Sequence, residues 1–196
     1  MSRTSTRSRS TKETRIELSL GLDGSGTTDV STGLPFFDHM LDQLGRHGGL
    51  DLSVQAQGDI EVDAHHTVED TGIVLGEAFR EALGDKAGVR RFASITVPLD
   101  EAAVEVVLDL SGRPFLHYDV DFPGEKILGD PPFDPQLAEE FWRAFATAAA
   151  ITLHVVMRRG RNTHHIVEAS FKGVARALRD AVRVEGSTLP STKGTL

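Results

Sequence analysis

His65-His66-Thr67-Val68-Glu69 returns as His164-His165-Ile166-Val167-Glu168, 99 positions further along the chain. Each copy opens a segment with apolar residues at helical spacing: Val68, Ile73, Leu75, Ala78, Phe79 and Ala82 follow the first until Gly84. Residues three and four apart share a helix face, so each glutamate lies near both histidines of its motif, while the two adjacent imidazoles diverge by about a quarter turn. One motif can therefore reach two metal ions. A lone His-His pair is ordinarily a solvated or hydrogen-bonded helix start; two equivalent copies are hard to explain as surface polarity and point to metal binding.

Working outward, the two motifs sit in similar surroundings. Arg15 to Leu22 alternates polar and apolar residues as a half-buried strand does, and Asp23-Gly24-Ser25-Gly26 reads as a turn. A short strand near Thr27 to Thr32 is followed by Pro35 and by Phe36, Phe37, Met40, Leu41 and Leu44 at helical spacing up to Gly48-Gly49. A strand over Leu50 to Gln57 then leads to the motif helix, Ala64 to Leu83. The second half shows strands near Ala93 to Leu99, Ala102 to Leu110 and Pro114 to Val120, a Pro-rich loop, a helix from Pro135 to Ala149, a strand from Ile151 to Met157, a turn at Arg158-Arg159-Gly160 and a helix from His164 to Val182. The order is that of the first half with a longer front end, so the chain reads as a tandem duplication. The predicted fold is α+β: two repeats, each a mostly antiparallel sheet with two helices, packed so that the helices lie between the sheets. The expected divisions are a disordered basic arm over 1–11, repeats over 12–92 and 93–184, and a tail over 185–196.

Composition narrows the chemistry. With 196 residues, 39% of them hydrophobic, the chain can bury an ordinary core. No apolar run reaches the roughly 18 residues of a spanning helix, and the N-terminus lacks the apolar stretch of a signal peptide, so the expected compartment is the cytoplasm with no membrane partner. Cysteine is absent, which leaves imidazole and carboxylate as the strong metal-binding side chains; such nitrogen and oxygen sets suit manganese, iron or zinc. The net charge is −8, and because Arg3, Arg7, Arg9 and Lys12 face no acid within the first twelve residues, the remainder carries −12. No nucleic-acid partner is expected.

The duplication also sets a register. Aligning Leu52 with Leu153 and carrying that alignment back one helix places His39 opposite Glu140. Exchange of the halves then converts a site of His39, His66, His164 and Glu168 into one of Glu140, His165, His65 and Glu69, each with four protein donors.

Phe36-Phe37-Asp38-His39-Met40-Leu41-Asp42-Gln43, the two His-His-x-x-Glu motifs and Pro190-Ser191-Thr192-Lys193-Gly194 resemble the imidazoleglycerol-phosphate dehydratase family, over nearly all of Thr11 to Leu196. The resemblance implies a ribosomal protein S5 domain 2-like repeat fold and dehydration of imidazole glycerol phosphate to imidazole acetol phosphate in histidine biosynthesis. It further implies two manganese ions per active site, with ligands shared between subunits of a particle of twenty-four. It assigns Glu13 to contact substrate, and Glu13 is expected to act as the acid/base residue, with the motif glutamates Glu69 and Glu168 as further catalytic candidates. Arg91, Arg113, Lys172, Ser191, Thr192 and Lys193 would hold the phosphate, as arginine's planar fork suits paired oxygens. Gln43 and His47 follow His39 by four and eight residues and are expected to line the same pocket. Asp100 matches a Pro-x-Asp stretch of the family without an evident role.

One departure stands out: the family usually has histidine in a His-Phe-Phe triplet where this chain reads Glu140-Phe141-Trp142. Manganese accepts oxygen donors, so a carboxylate can serve there. Otherwise Glu140 is a helix-surface acid, and His117 or His154 completes the sphere. Two rival readings use the same residues, a binuclear phosphoesterase and a non-enzymatic metal-binding cage.

Overall fold

In a computed structural model, which describes residues 3–124, 127–194 and 196, the chain forms one unit twice. The first unit runs β1 (Thr4–Ser10), β2 (Thr14–Gly21), β3 (Thr28–Ser31), α1 (Pro35–Gly48), β4 (Asp51–Gly58) and α2 (His65–Leu83). The second runs β5 (Phe92–Leu99), β6 (Ala102–Asp109), β7 (Phe115–Asp119), α3 (Leu137–Ala149), β8 (Thr152–Arg159) and α4 (Thr163–Ala181). The sheets have the orders β1-β2-β4-β3 and β5-β6-β8-β7. Each has two antiparallel pairings and one parallel edge, β3 on β4 and β7 on β8. Parallel neighbours need a crossover, and α1 and α3 supply it.

The helices lie between the sheets. α2 packs on α3 and α1 on α4, while α2 also covers β1 and β2 and α4 covers β5 and β6. Phe141 and Trp142 of α3 meet Phe171 of α4 with ring centroids 5.4 and 4.6 Å apart at the centre of this layer. The α2–α3 approach depends on glycine: a Cβ on Gly72 would come within 2.7 Å of the Phe141 carbonyl oxygen, and one on Gly76 within 2.7 Å of that of Phe145.

The register read from sequence extends through the helices. Shifting the buried face of α1, Phe36, Phe37, Met40, Leu41 and Leu44, by 101 positions gives Leu137, Ala138, Phe141, Trp142 and Phe145, the buried face of α3. A 99-residue shift carries the buried face of α2 onto that of α4 in the same way. His39 and Glu140 are therefore equivalent positions.

Three expectations need correction. The N-terminal arm is no disordered tail: Thr4–Ser10 is a strand paired along its length with β2. Its cations, which suggested a solvated segment, are matched to acids elsewhere. Arg3 and Arg9 hydrogen-bond Asp23 and Asp70, Arg7 forms an ion pair with Glu81, and Ser5 Oγ donates to Glu81 at 2.5 Å. Polar residues can thus build an edge strand when backbone pairing and long-range ion pairs replace apolar burial. Met1 and Ser2 lie outside the described residues. With β1 included, the front ends of the two halves match, so the second is not the longer one, and β8 continues through Arg159, with the turn beginning at Gly160.

Candidate metal centre

α4 opens at Asn162, whose side chain accepts from the His165 backbone N–H, and this fixes the direction in which its first turn points His164 and Glu168. His39 on α1 faces the same spot because α1 packs on α4. His39 Nε2 lies 3.2 Å and His164 Nε2 2.9 Å from Glu168 Oε2. Among the described residues these three form the one group of three or more His, Asp or Glu donors whose ligand atoms all lie within 4.8 Å of one another. Two imidazole nitrogens and one carboxylate oxygen so converged fit a divalent transition ion.

Glu168 is nearly buried, and burial alone would raise its pKa. Hydrogen bonds from Lys172, His164 and His39 outweigh this and bring it down to about 2. Lys172 Nζ sits 2.5 Å from Glu168 Oε1. Alongside, His47 Nε2 lies 3.1 Å from Gln43 Oε1, and His47 is pushed down by burial first and then by the Lys172 and Arg176 cations. His47, hydrogen-bonded to Gln43, thus lies within electrostatic reach of Lys172 and Glu168.

The equivalent positions of the other half are less tightly drawn. His65 Nε2 lies 3.6 Å from Glu69 Oε2. Glu140 lines the same cleft as His65, about 600 Å³ in volume, and is 3.7 Å from Arg143 Nε.

His66 and His165 turn away from these two groups, so the four-donor sets read from sequence do not assemble within one chain. Each is instead held through Nδ1 by a carboxylate that sequence reasoning missed. His66 Nδ1 lies 3.1 Å from Asp59 Oδ2, and His165 Nδ1 2.7 Å from Glu101 Oε2. Asp59 raises the pKa of His66, while the His165 hydrogen bond is the largest of the contributions that lower Glu101 to about 2. A carboxylate on Nδ1 selects the tautomer and leaves Nε2 facing outward, the usual orientation of a metal-ligating imidazole. No periodicity could have revealed the two acids, since Asp59 follows β4 and Glu101 sits in the β5–β6 turn.

The anion-binding candidates other than Lys172 gather elsewhere. Arg91 holds Asp109 at 2.7 and 3.1 Å and donates to the Pro190 carbonyl at 2.7 Å, and its backbone N–H bonds Ala181 at the far end of α4. Thirteen residues of helix separate Ala181 from Glu168, about 20 Å at 1.5 Å per residue. Arg113 lies in the neighbouring β6–β7 turn, where its carbonyl accepts from Ser111 and Thr152. The tail runs beside them, with Lys193 N–H donating to Ser191 Oγ at 3.2 Å and Thr192 exposed next to it. Within one chain these groups do not reach the His39 cluster. Glu13 is exposed, at the end of the first sheet on the His66 side; its carbonyl accepts from Asp59 N–H. Asp100 Oδ2 is 3.8 Å from His165 Nε2.

His117 and His154 do not complete a sphere with these residues in their own chain. They pair across β7 and β8 with ring centroids 5.5 Å apart, on the sheet face opposite buried Leu153 and Val155, away from the helices.

The described residues contain no helix long and apolar enough to cross a membrane. The family model described as imidazoleglycerol-phosphate dehydratase matches residues 32–178. Relatives of that name include one from Gluconacetobacter diazotrophicus, 56% identical over 99% of this chain and 98% of its own length, and one from Acidiphilium cryptum, 55% identical over the full length of both. The fold matches the crystal structure of the Staphylococcus aureus enzyme of that name with a TM-score of 0.82 at 36% identity, covering 94% of this chain and 99% of that one. It also matches that of IGPD from Pyrococcus furiosus in complex with (S)-C348, with a TM-score of 0.83 at 36% identity, covering 97% and 100%. Together with the duplicated fold, these matches place the chain in the imidazoleglycerol-phosphate dehydratase family.

Proposed function

We propose that the chain is the hydro-lyase that dehydrates imidazole glycerol phosphate to imidazole acetol phosphate in histidine biosynthesis, using two manganese ions per site. The observation that carries this reading is the convergence of His39, His164 and Glu168 beside Lys172. When bound, the ions would supply Lewis acidity that polarises the substrate's azole ring.

The chain's own groups account for the rest. Glu168, whose carboxyl Lys172, His164 and His39 hold low, serves as a donor. Glu69 has the equivalent role, with Glu140, His65 and an imidazole from elsewhere. Lys172 presents its ammonium one turn beyond Glu168, where a phosphate can meet it. Glu13, on the His66 side, takes the carbon-bound proton; loss of the neighbouring hydroxyl then yields an enol that becomes the ketone.

Completion requires more than one copy. His66 and His165 present Nε2 away from their own clusters, and Arg91, with the tail that carries Ser191, Thr192 and Lys193 and the neighbouring Arg113, is anchored at Ala181, about 20 Å along α4 from Glu168. A homo-oligomer with sites between subunits, of twenty-four copies as the family resemblance implies, brings these groups together. The proposed compartment is the cytoplasm.

Incubation of purified protein with imidazole glycerol phosphate, following ketone and inorganic phosphate separately, tests the reading. Ketone without phosphate is expected; phosphate release would favour a binuclear phosphoesterase, and neither product a metal-binding cage.

A further inference from the structure

The helices of the two halves match residue for residue, but the chemistry at equivalent positions does not. With His65 equivalent to His164 and Glu69 to Glu168, the exchange of His39 for Glu140 leaves one set with two imidazoles and one carboxylate and the other with one imidazole and two carboxylates. An imidazole contributed to each set by a neighbouring copy would not alter that difference.

The surroundings reinforce it. Lys172 neutralises Glu168 at 2.5 Å, whereas its equivalent on α2, one turn beyond Glu69, is Ile73. The cleft holding His65 and Glu140 is bordered by Glu61, Asp63 and Asp134, with no lysine or arginine among the described residues that line it. Arg143, 3.7 Å from Glu140, lies closer to Glu139.

We infer that the two metal positions are unequal: the Glu140 position binds a hard divalent cation more tightly and fills first, and the His39 position fills second. This rests on the two-ion reading above. Oxygen-rich sets favour manganese over softer ions, and the affinity of carboxylate sites rises with the number of charged donors. Lys172 at the same time lowers the attraction of the His39 set for a cation. At limiting manganese the molecule would hold one ion per site, at the Glu140 position, and activity would follow occupancy of the other.

Equilibrium titration of the chelator-stripped full-length protein with manganese chloride, reading free ion by electron paramagnetic resonance, tests the inference without an activity assay. Two classes of equal stoichiometry are expected, with dissociation constants differing by about tenfold or more. Glu140→Gln should weaken the tight class selectively. Glu140→His should keep both ions and bring the two constants within a few-fold of each other. Glu140 is partly exposed, so neither change disturbs the core. One class in the unaltered protein, or a tight class untouched by Glu140→Gln, would overturn the inference. Uptake of fewer than two ions per chain would instead overturn the two-ion reading beneath it.

Discussion

Lys172 Nζ and Glu168 Oε1 are 2.5 Å apart, one turn along α4, and the same carboxylate faces His39 and His164 through its other oxygen. Under the proposed function, one ammonium would both keep a metal donor ionised and meet the substrate's phosphate. Lys172→Met should lower kcat/KM by about 100-fold or more, since truncating one partner of a desolvated charge pair costs a few kcal/mol. Steady-state kinetics check this, with part of the loss expected in KM. An unchanged KM would remove Lys172 from phosphate binding.

The carboxylates on His66 and His165 should tune metal affinity without touching the ion. Asp59→Asn and Glu101→Gln are each expected to weaken manganese binding by about 10- to 100-fold, the usual effect of losing a group that orients a ligating imidazole. Calorimetric titration of the variants against the unaltered protein gives the answer, and circular dichroism confirms that the fold is kept.

How far sequence could go is clear from particular residues. Alternation in β2 and helical spacing in α1, α2 and α4 were legible because one face of each is buried, and the 101-residue register held from Leu52–Leu153 through His39–Glu140. β1 was not legible: Thr4–Ser10 carries no apolar face, and its side-chain partners are brought from 61 to 76 residues away only by folding. Asp59 and Glu101 stayed hidden for the same reason. Their contacts with His66 and His165 are tertiary, and no local pattern encodes them.

The ordered N-terminal strand makes its own prediction. Arg3 Nε donates to Asp23 Oδ2 at 2.9 Å, and this hydrogen bond is the foremost cause that lowers the Asp23 pKa below its ordinary 3.8. A carboxylate depressed in the folded state stabilises above its unfolded pKa, and that contribution disappears as pH falls through the folded value. The stability difference between the unaltered protein and Arg3→Ala should therefore shrink below pH 3.8 in denaturant titrations across the acid range. Deleting residues 1–10 should cost more, about 2 kcal/mol, or about 4–8 °C in Tm for a chain of this size.

Close packing of α2 on α3 should be sensitive at Gly76, where an added methyl would sit 2.7 Å from the Phe145 carbonyl oxygen and from Ala148 Cβ. Gly76→Ala is expected to destabilise by about 1–3 kcal/mol. Glu140 and His65 line one cleft between these two helices, so if the inferred metal position lies there its affinity should weaken as well. Thermal unfolding and manganese titration of the same variant check both effects.

The most direct test of the central claim, that imidazoles and carboxylates from both halves hold the ions needed for dehydration, is the rate of ketone formation by chelator-stripped protein before and after manganese is restored. Activity should vanish on stripping and return as about two ions per site are taken up. Full turnover by demonstrably metal-free protein would contradict it.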